Sequence, residues 1–183
     1  GQVSLFLLFC FALEAQEKRN FEFESPVVRA SIFKEVGMTE REKDDYASNL
    51  AIFTGNEIVR QKANADSLAF ARKALALALH LSARNKRAVI LNFQLDKGVM
   101  PKTIETQYSP KTLATLFVTR AEVLYQQNGE VNKLLARCLI DLAVTMDPRN
   151  EDAVYAFEMQ KIDLGEVNWR PITDVPKPEI PNP

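Results

Sequence analysis

The chain has little of the residue types on which metal binding and phosphate binding depend. Its 183 residues include a single histidine, His80, and only six glycines. His80 has no cysteine or acidic residue at helical spacing, and the scattered glycines form neither a dinucleotide-binding loop nor a P-loop. The sequence therefore predicts no cofactor, no metal site and no catalytic residue, and we interpret His80 as a surface or partly buried helix residue.

The chain also lacks an excess of charge of either sign. The 23 lysines and arginines nearly balance the 24 acidic residues, and the formal net charge is −1. A nucleic-acid-binding domain usually carries a strong positive charge, so we expect no nucleic-acid partner. The basic cluster Arg84, Lys86 and Arg87 is interpreted as the exposed start of a helix.

No apolar run in the sequence is long enough to cross a membrane. The longest, Val3–Leu13, would form a helix of about 16 Å against a bilayer core of about 30 Å. Two interpretations stay open: residues 1–15 are the remnant of an export signal or membrane anchor, or a helix docked on the domain. The first predicts an exported protein, periplasmic or membrane-associated, with membrane contact through residues 3–13; the second is compatible with the cytoplasm.

What the sequence does have is an internal repeat. Sliding Tyr46–Gln94 onto Lys111–Met159 without a gap pairs 11 identical residues, where ordinary composition gives roughly 3. They include small and apolar residues at helical spacing, followed by an identical Arg-Asn turn. Self-similarity at a fixed lag indicates stacked supersecondary units. The identical pairs are Thr54/Thr119, Glu57/Glu122, Gln61/Gln126, Ala71/Ala136, Arg72/Arg137, Leu77/Leu142, Ala78/Ala143, Arg84/Arg149, Asn85/Asn150, Ala88/Ala153 and Val89/Val154.

The repeat resembles the tetratricopeptide repeat, over about residues 46–165. The second helix of that family carries a small residue, a bulky residue four later, a small residue three after that, and then a proline-bearing turn. Here the pattern reads Ala136, Ile140, Ala143 and Pro148. The earlier copy lacks the proline, and its Gly55 is matched by Arg120 in the first-helix pattern. The resemblance implies an all-α superhelix of stacked antiparallel helix pairs.

Caps and breaks divide the chain into four parts. The predicted parts are the apolar segment 1–15, a linker 16–38 with a possible short strand at Phe21–Phe23, a helical repeat domain 39–165 and a proline-rich tail 166–183. Within the repeat domain, cap residues and glycine stops predict about six helices. Trp169 is expected to pin the start of the tail to the last helix.

The resemblance also implies a function, which is binding of an extended peptide or protein partner in a helical groove. We therefore predict a non-enzymatic interaction scaffold. One alternative is a structural subunit joined to other chains through its apolar N-terminal run and proline-rich tail, and another is an enzyme with an acidic helical cleft. Groove candidates, chosen by helix position, are Asn49, Asn56, Arg60, Arg120 and Gln127.

Overall fold

The computed structural model describes residues 20–174. Seven helices make up most of this part of the chain, and no strand occurs in it, so the all-α prediction is confirmed. The helices are α1 Glu40–Arg60, α2 Ala65–Leu81, α3 Lys86–Asp96, α4 Pro110–Gln127, α5 Glu130–Met146, α6 Glu151–Leu164 and α7 Arg170–Thr173. The first six lie where the cap residues predict them, and α7 is an addition.

Side-chain caps fix where these helices begin. Thr39 forms a capping box with Glu42 at the start of α1, since each side chain bonds the backbone N–H of the other. Asn85 and Asn150 cap α3 and α6, accepting from the N–H of the third helical residue at 3.1 and 3.0 Å. These bonds satisfy N–H groups that have no partner within the helix.

The helices form two similar three-helix units, α1–α3 and α4–α6. In each unit the first two helices form a hairpin, and the third packs on both. Helices α2 and α5 supply buried small residues at matching positions, Ala71 and Ala78 in one and Ala136 and Ala143 in the other. Such small side chains let neighbouring helix backbones approach closely.

The units correspond in two registers. Helices α2 and α5 begin and end 65 residues apart, as the gapless alignment predicts. The first helices correspond differently. Asn85 donates to Ser48 Oγ of α1 at 2.7 Å, and Asn150 donates to Thr115 Oγ1 of α4 at 3.1 Å. Equivalent positions of α1 and α4 are therefore 67 residues apart. The turn between α4 and α5 is therefore two residues shorter than the turn between α1 and α2. Thr54 and Thr119, which the gapless alignment pairs, do not occupy equivalent positions in the two units. Thr54 is buried and Thr119 is exposed.

The superhelical arrangement is not confirmed. Helices α1 and α3 run parallel, as the first helices of two successive helix pairs do in a stacked array. Helices α1 and α4, in contrast, run antiparallel. Glu42, near the start of α1, forms an ion pair with Arg120, and further along α1 Tyr46 stacks on Phe117 with ring centroids 5.2 Å apart. The two units thus meet through their first helices, and also through α2 and α5, where Lys73 forms an ion pair with Asp141 at 3.5 Å.

The segments that flank the helices both pack on α2. Val27 forms a single bridge with Asp174, and no strand forms at Phe21–Phe23, contrary to expectation. Arg72 of α2 forms an ion pair with Asp174 at 2.6 Å and bonds the backbone oxygen of Glu24 at 3.0 Å. This pairing with Arg72 lowers the pKa of Asp174 to about 2. Residues 20–38, the described part of the predicted linker, therefore pack against the helices, and we call them the strap.

Trp169 anchors the C-terminal segment, but not on the last long helix as expected. Its indole N–H donates to Asp141 of α5 at 2.6 Å, and Lys73 of α2 lies over its ring. The apolar run Val3–Leu13 and residues 175–183, which are half of the proline-rich tail, lie outside the described residues. Within residues 20–174, no helix combines the length and apolar character that a membrane crossing requires.

Candidate functional site

An apolar groove lies between α1 and α3. It has a volume of about 550 Å³ and is closed on one side by the segment Val99–Ile104. Gly55 and Leu91 form part of its floor: a Cβ added to Gly55 would lie 3.6 Å from the Leu91 methyl groups, an ordinary contact distance. The glycine therefore keeps the groove open, and any side chain longer than alanine at this position would enter it.

One wall of this groove is a segment without helix or strand, held by an asparagine. The Asn56 side chain donates to the carbonyl oxygen of Ile104 at 2.8 Å and accepts from the N–H of the same residue at 2.9 Å. This two-bond contact satisfies both polar groups of one backbone residue. The first helix of the unit thus already holds a non-helical segment of the chain itself through its backbone.

The polar rim of the groove is basic. Arg87 and Lys102 line it together with Gln94, and no acidic residue does. Arg87 and Lys86 lie in the first turn of α3, where the positive end of the helix dipole disfavours cations, so they do not serve to stabilise the helix. Neither residue has an ion-pair partner within residues 20–174. The groove is suited to an apolar side chain with a carboxylate beside it.

The second unit has the corresponding groove between α4 and α6, with different chemistry. Its volume is about 280 Å³, and its lining includes Val118, Tyr125 and Met159. Glu122 takes the place of Gly55, and Asp163 lies on the same rim. The two grooves of the molecule are therefore opposite in charge.

The predicted groove residues do not form one site. Asn49 and Asn56 line a small cavity of about 140 Å³ on α1, which Tyr108 and Pro110 also line. Arg60 is exposed at the end of α1 and forms an ion pair with Glu57 at 2.7 Å.

The two candidates on α4 lie apart from this cavity. Arg120 joins α4 to α1 through Glu42, whose pKa is lowered by the Thr39 backbone bond and by Arg120. Gln127 is exposed at the end of α4, with its side chain against Gly37.

His80 is buried, so its interpretation as a surface or partly buried residue is wrong. Its Nδ1 accepts from the N–H of Ile32 at 3.2 Å, so its Nε2 donates to the carbonyl oxygen of Ile172 at 2.8 Å. Burial lowers the pKa of the imidazole, which favours the neutral form that these two bonds require. His80 thus ties both flanking segments to α2. It lines neither the α1–α3 groove nor the α4–α6 groove, but it borders an open recess that Ser31 and Arg84 also line.

The acidic residues at the start of α6 line an open recess. Glu151, Asp152 and Asp147 share this recess of about 580 Å³ with Lys111 and Arg149, so it carries both signs of charge. No group of three or more metal-ligating side chains with the spacing of an ion site occurs in residues 20–174.

No family model, curated protein or solved structure matches the chain. Sequence reasoning did not select Gly55, Leu91, Gln94 or Lys102, which lie on three separate segments. A glycine inside a predicted helix and a cationic first turn on α3 were the available signals, and both are weak alone.

Proposed function

We propose that the protein is a non-enzymatic interaction scaffold whose α1–α3 groove binds an extended segment of a protein partner. The segment would place one large apolar side chain over Gly55 and Leu91. A nearby carboxylate, from an acidic side chain or a chain end, would pair with Arg87 or Lys102. An exported or membrane-associated location is a separate proposal, based on the apolar run Val3–Leu13.

The contact between Asn56 and Ile104 supports this proposal most directly. It places a segment that is neither helix nor strand along one wall of the groove, with Val99 and Met100 on the lining. A bound segment would lie between that wall and α3. Because groove and wall are already formed, binding would require little reorganisation of the scaffold.

The energy of such a contact is moderate. Burying one large apolar side chain contributes about 1.5–3 kcal/mol, and a solvent-exposed ion pair about 0–1 kcal/mol. We therefore expect reversible binding whose affinity weakens as salt screens the basic rim.

A selection experiment tests the proposal without a known partner. Random peptides displayed on phage would be selected against the full chain, and enriched peptides should share one large apolar residue close to an acidic residue. Gly55→Leu fills the groove and should abolish binding of the enriched peptides. Gly55→Ala, whose methyl group fits at 3.6 Å from Leu91, is the matched control and should retain it.

The proposal fails if no peptides are enriched, or if Gly55→Leu binds the enriched peptides as well as the wild type does. Circular dichroism of both glycine variants, showing unchanged helix content, separates a filled groove from an unfolded protein.

A further inference from the structure

We propose that the exposed face of α3 docks into the α4–α6 groove of a second copy of this chain, so that copies associate head to tail. This inference concerns a different groove from the peptide groove, shares only Ile90 with the lining of that groove, and does not depend on peptide binding.

The donor surface is a stripe along α3. It consists of Lys86, Val89, Ile90 and Phe93, with Lys97 directly after the helix. All five are exposed, and apart from the adjacent pair Val89 and Ile90 they are spaced three or four residues apart. Phe93 is 63% exposed, although it lies within a helix, in the last turn of α3. We call these five residues the α3 stripe. Its centre is apolar and both of its ends are basic.

The acceptor surface is the groove between α4 and α6, about 280 Å³ in volume. Val118, Tyr125 and Met159 give it an apolar floor, which an aromatic ring such as that of Phe93 could cover. The exposed acids Glu122 and Asp163 lie at its edge, and neither has an ion-pair partner within residues 20–174. The apolar surface continues onto α6, where Ile162 and Leu164 are 71% and 62% exposed.

Charge selects a second copy in head-to-tail orientation. The α3 stripe has cations at both ends, so two stripes facing one another would repel, and the same holds for two acidic grooves. A stripe facing a groove places opposite charges together around an apolar centre, which is the complementarity that stabilises specific interfaces. Both surfaces belong to the same chain, so every copy carries a donor and an acceptor.

A contact of this kind does not close on itself in a dimer. A dimer held by one such contact still has one free stripe and one free groove. Further copies can therefore add to it, so that association continues into open chains or closes as a ring. The average mass should therefore rise steadily with protein concentration.

Complementary variants test the interface by sedimentation velocity. Phe93→Ala removes the apolar centre of the stripe, and Glu122→Lys/Asp163→Lys reverses the charge of the groove. Each variant alone should be monomeric at concentrations where the wild type associates. Mixed together, the two should form a dimer and stop there, because the only intact stripe and the only intact groove are on different chains.

Matched controls change the same residue classes elsewhere. Val131→Ala removes an exposed apolar side chain from α5, and Glu22→Lys/Glu35→Lys makes the same charge change on exposed residues of the strap. Both should associate like the wild type. Thermal melts of all variants should match the wild type, since every changed residue is exposed.

Three results would overturn the proposal. A wild-type protein that stays monomeric from micromolar to millimolar concentration would show that something else covers these faces or that they remain free. Association that persists in either interface variant, or a mixture of the two that stays monomeric, would exclude the head-to-tail contact. The peptide selection with Gly55→Leu does not involve Phe93, Glu122 or Asp163, so failure of one proposal is distinguishable from failure of the other.

Discussion

His80 shows how one side chain can hold the two flanking segments together. Both ring nitrogens are engaged, one with Ile32 and the other with Ile172, and the ring packs edge-on against Phe33. The contact with Ile32 needs an unprotonated Nδ1. Protonation would remove that acceptor and place a charge in a buried site.

This arrangement predicts a stability that depends on pH. The folded-state pKa of His80 is lowered, so the unfolded state binds the proton more tightly. The contribution of His80 is complete above the unfolded pKa of about 6.5 and decreases as the pH falls below it. Urea unfolding at about pH 7.5 and about pH 5 should show this loss, and His80→Gln should reduce it.

His80 is the only histidine in the chain, so a difference in pH dependence between the wild type and His80→Gln reports on this imidazole alone. Equal pH dependence in the wild type and in His80→Gln would show that the imidazole is not the titrating group.

Thr54 is a buried residue whose hydroxyl has no hydrogen-bond partner among the described residues. Valine has the same shape without the polar group. Because leaving a buried polar group unsatisfied costs about 1–3 kcal/mol, Thr54→Val should raise the free energy of unfolding by about 1 kcal/mol. Chemical denaturation measures the change.

Thr119→Val is the matched control for Thr54→Val. The gapless alignment pairs the two threonines, but Thr119 is exposed on α4. Its replacement should change the free energy of unfolding by no more than about 0.5 kcal/mol. If both variants are equally stabilised, the two-residue difference between the units is wrong.

At the scale of the helices, the sequence predicted positions well because the signals are local. Thr39, Asn85, Ser109 and Asn150 cap helices that begin at the next residue. The 67-residue offset between α1 and α4 was not predictable from identical residues. Glu57 and Glu122 match by chance in the 65-residue alignment, whereas the buried residues of the two helices do not follow that alignment. Burial and the contacts of Asn85 and Asn150 reveal the shorter turn.

The helices α2 and α5 offer a second test of the correspondence between the units. Ala78 and Ala143 have no exposed surface, and each lies one turn before the end of its helix. Enlarging either to leucine should overpack the site and lower the free energy of unfolding by about 1–3 kcal/mol. Denaturant midpoints that match the wild type in both variants would contradict equivalent packing.

At the scale of the whole molecule, the sequence predicted the class and the helix pairs but not how the units meet. The contact between α1 and α4 depends on Tyr46, Phe117 and Arg120, which lie far apart in the sequence and carry no shared motif. The packing of residues 20–38 was also missed. Their alternating and proline-containing sequence is typical of a linker, whereas Phe33 is fully buried against α2.

The candidate site was predictable only in part, for the same reason. Asn56 was selected by its position on a first helix, and it does line the groove. Its contact with Ile104 depends on the path of residues 97–109, which cross back over α1 before α4 begins. That path is a tertiary feature, and no local pattern encodes it.

The most direct test of the account is to map where an enriched apolar and acidic peptide binds. Chemical-shift perturbation of the isotope-labelled full chain should be largest at Gly55, Leu91 and Gln94 and should extend to Ile104 and Lys102. Perturbations confined to other surfaces, or an unchanged pattern in Gly55→Leu, would contradict a binding groove between α1 and α3.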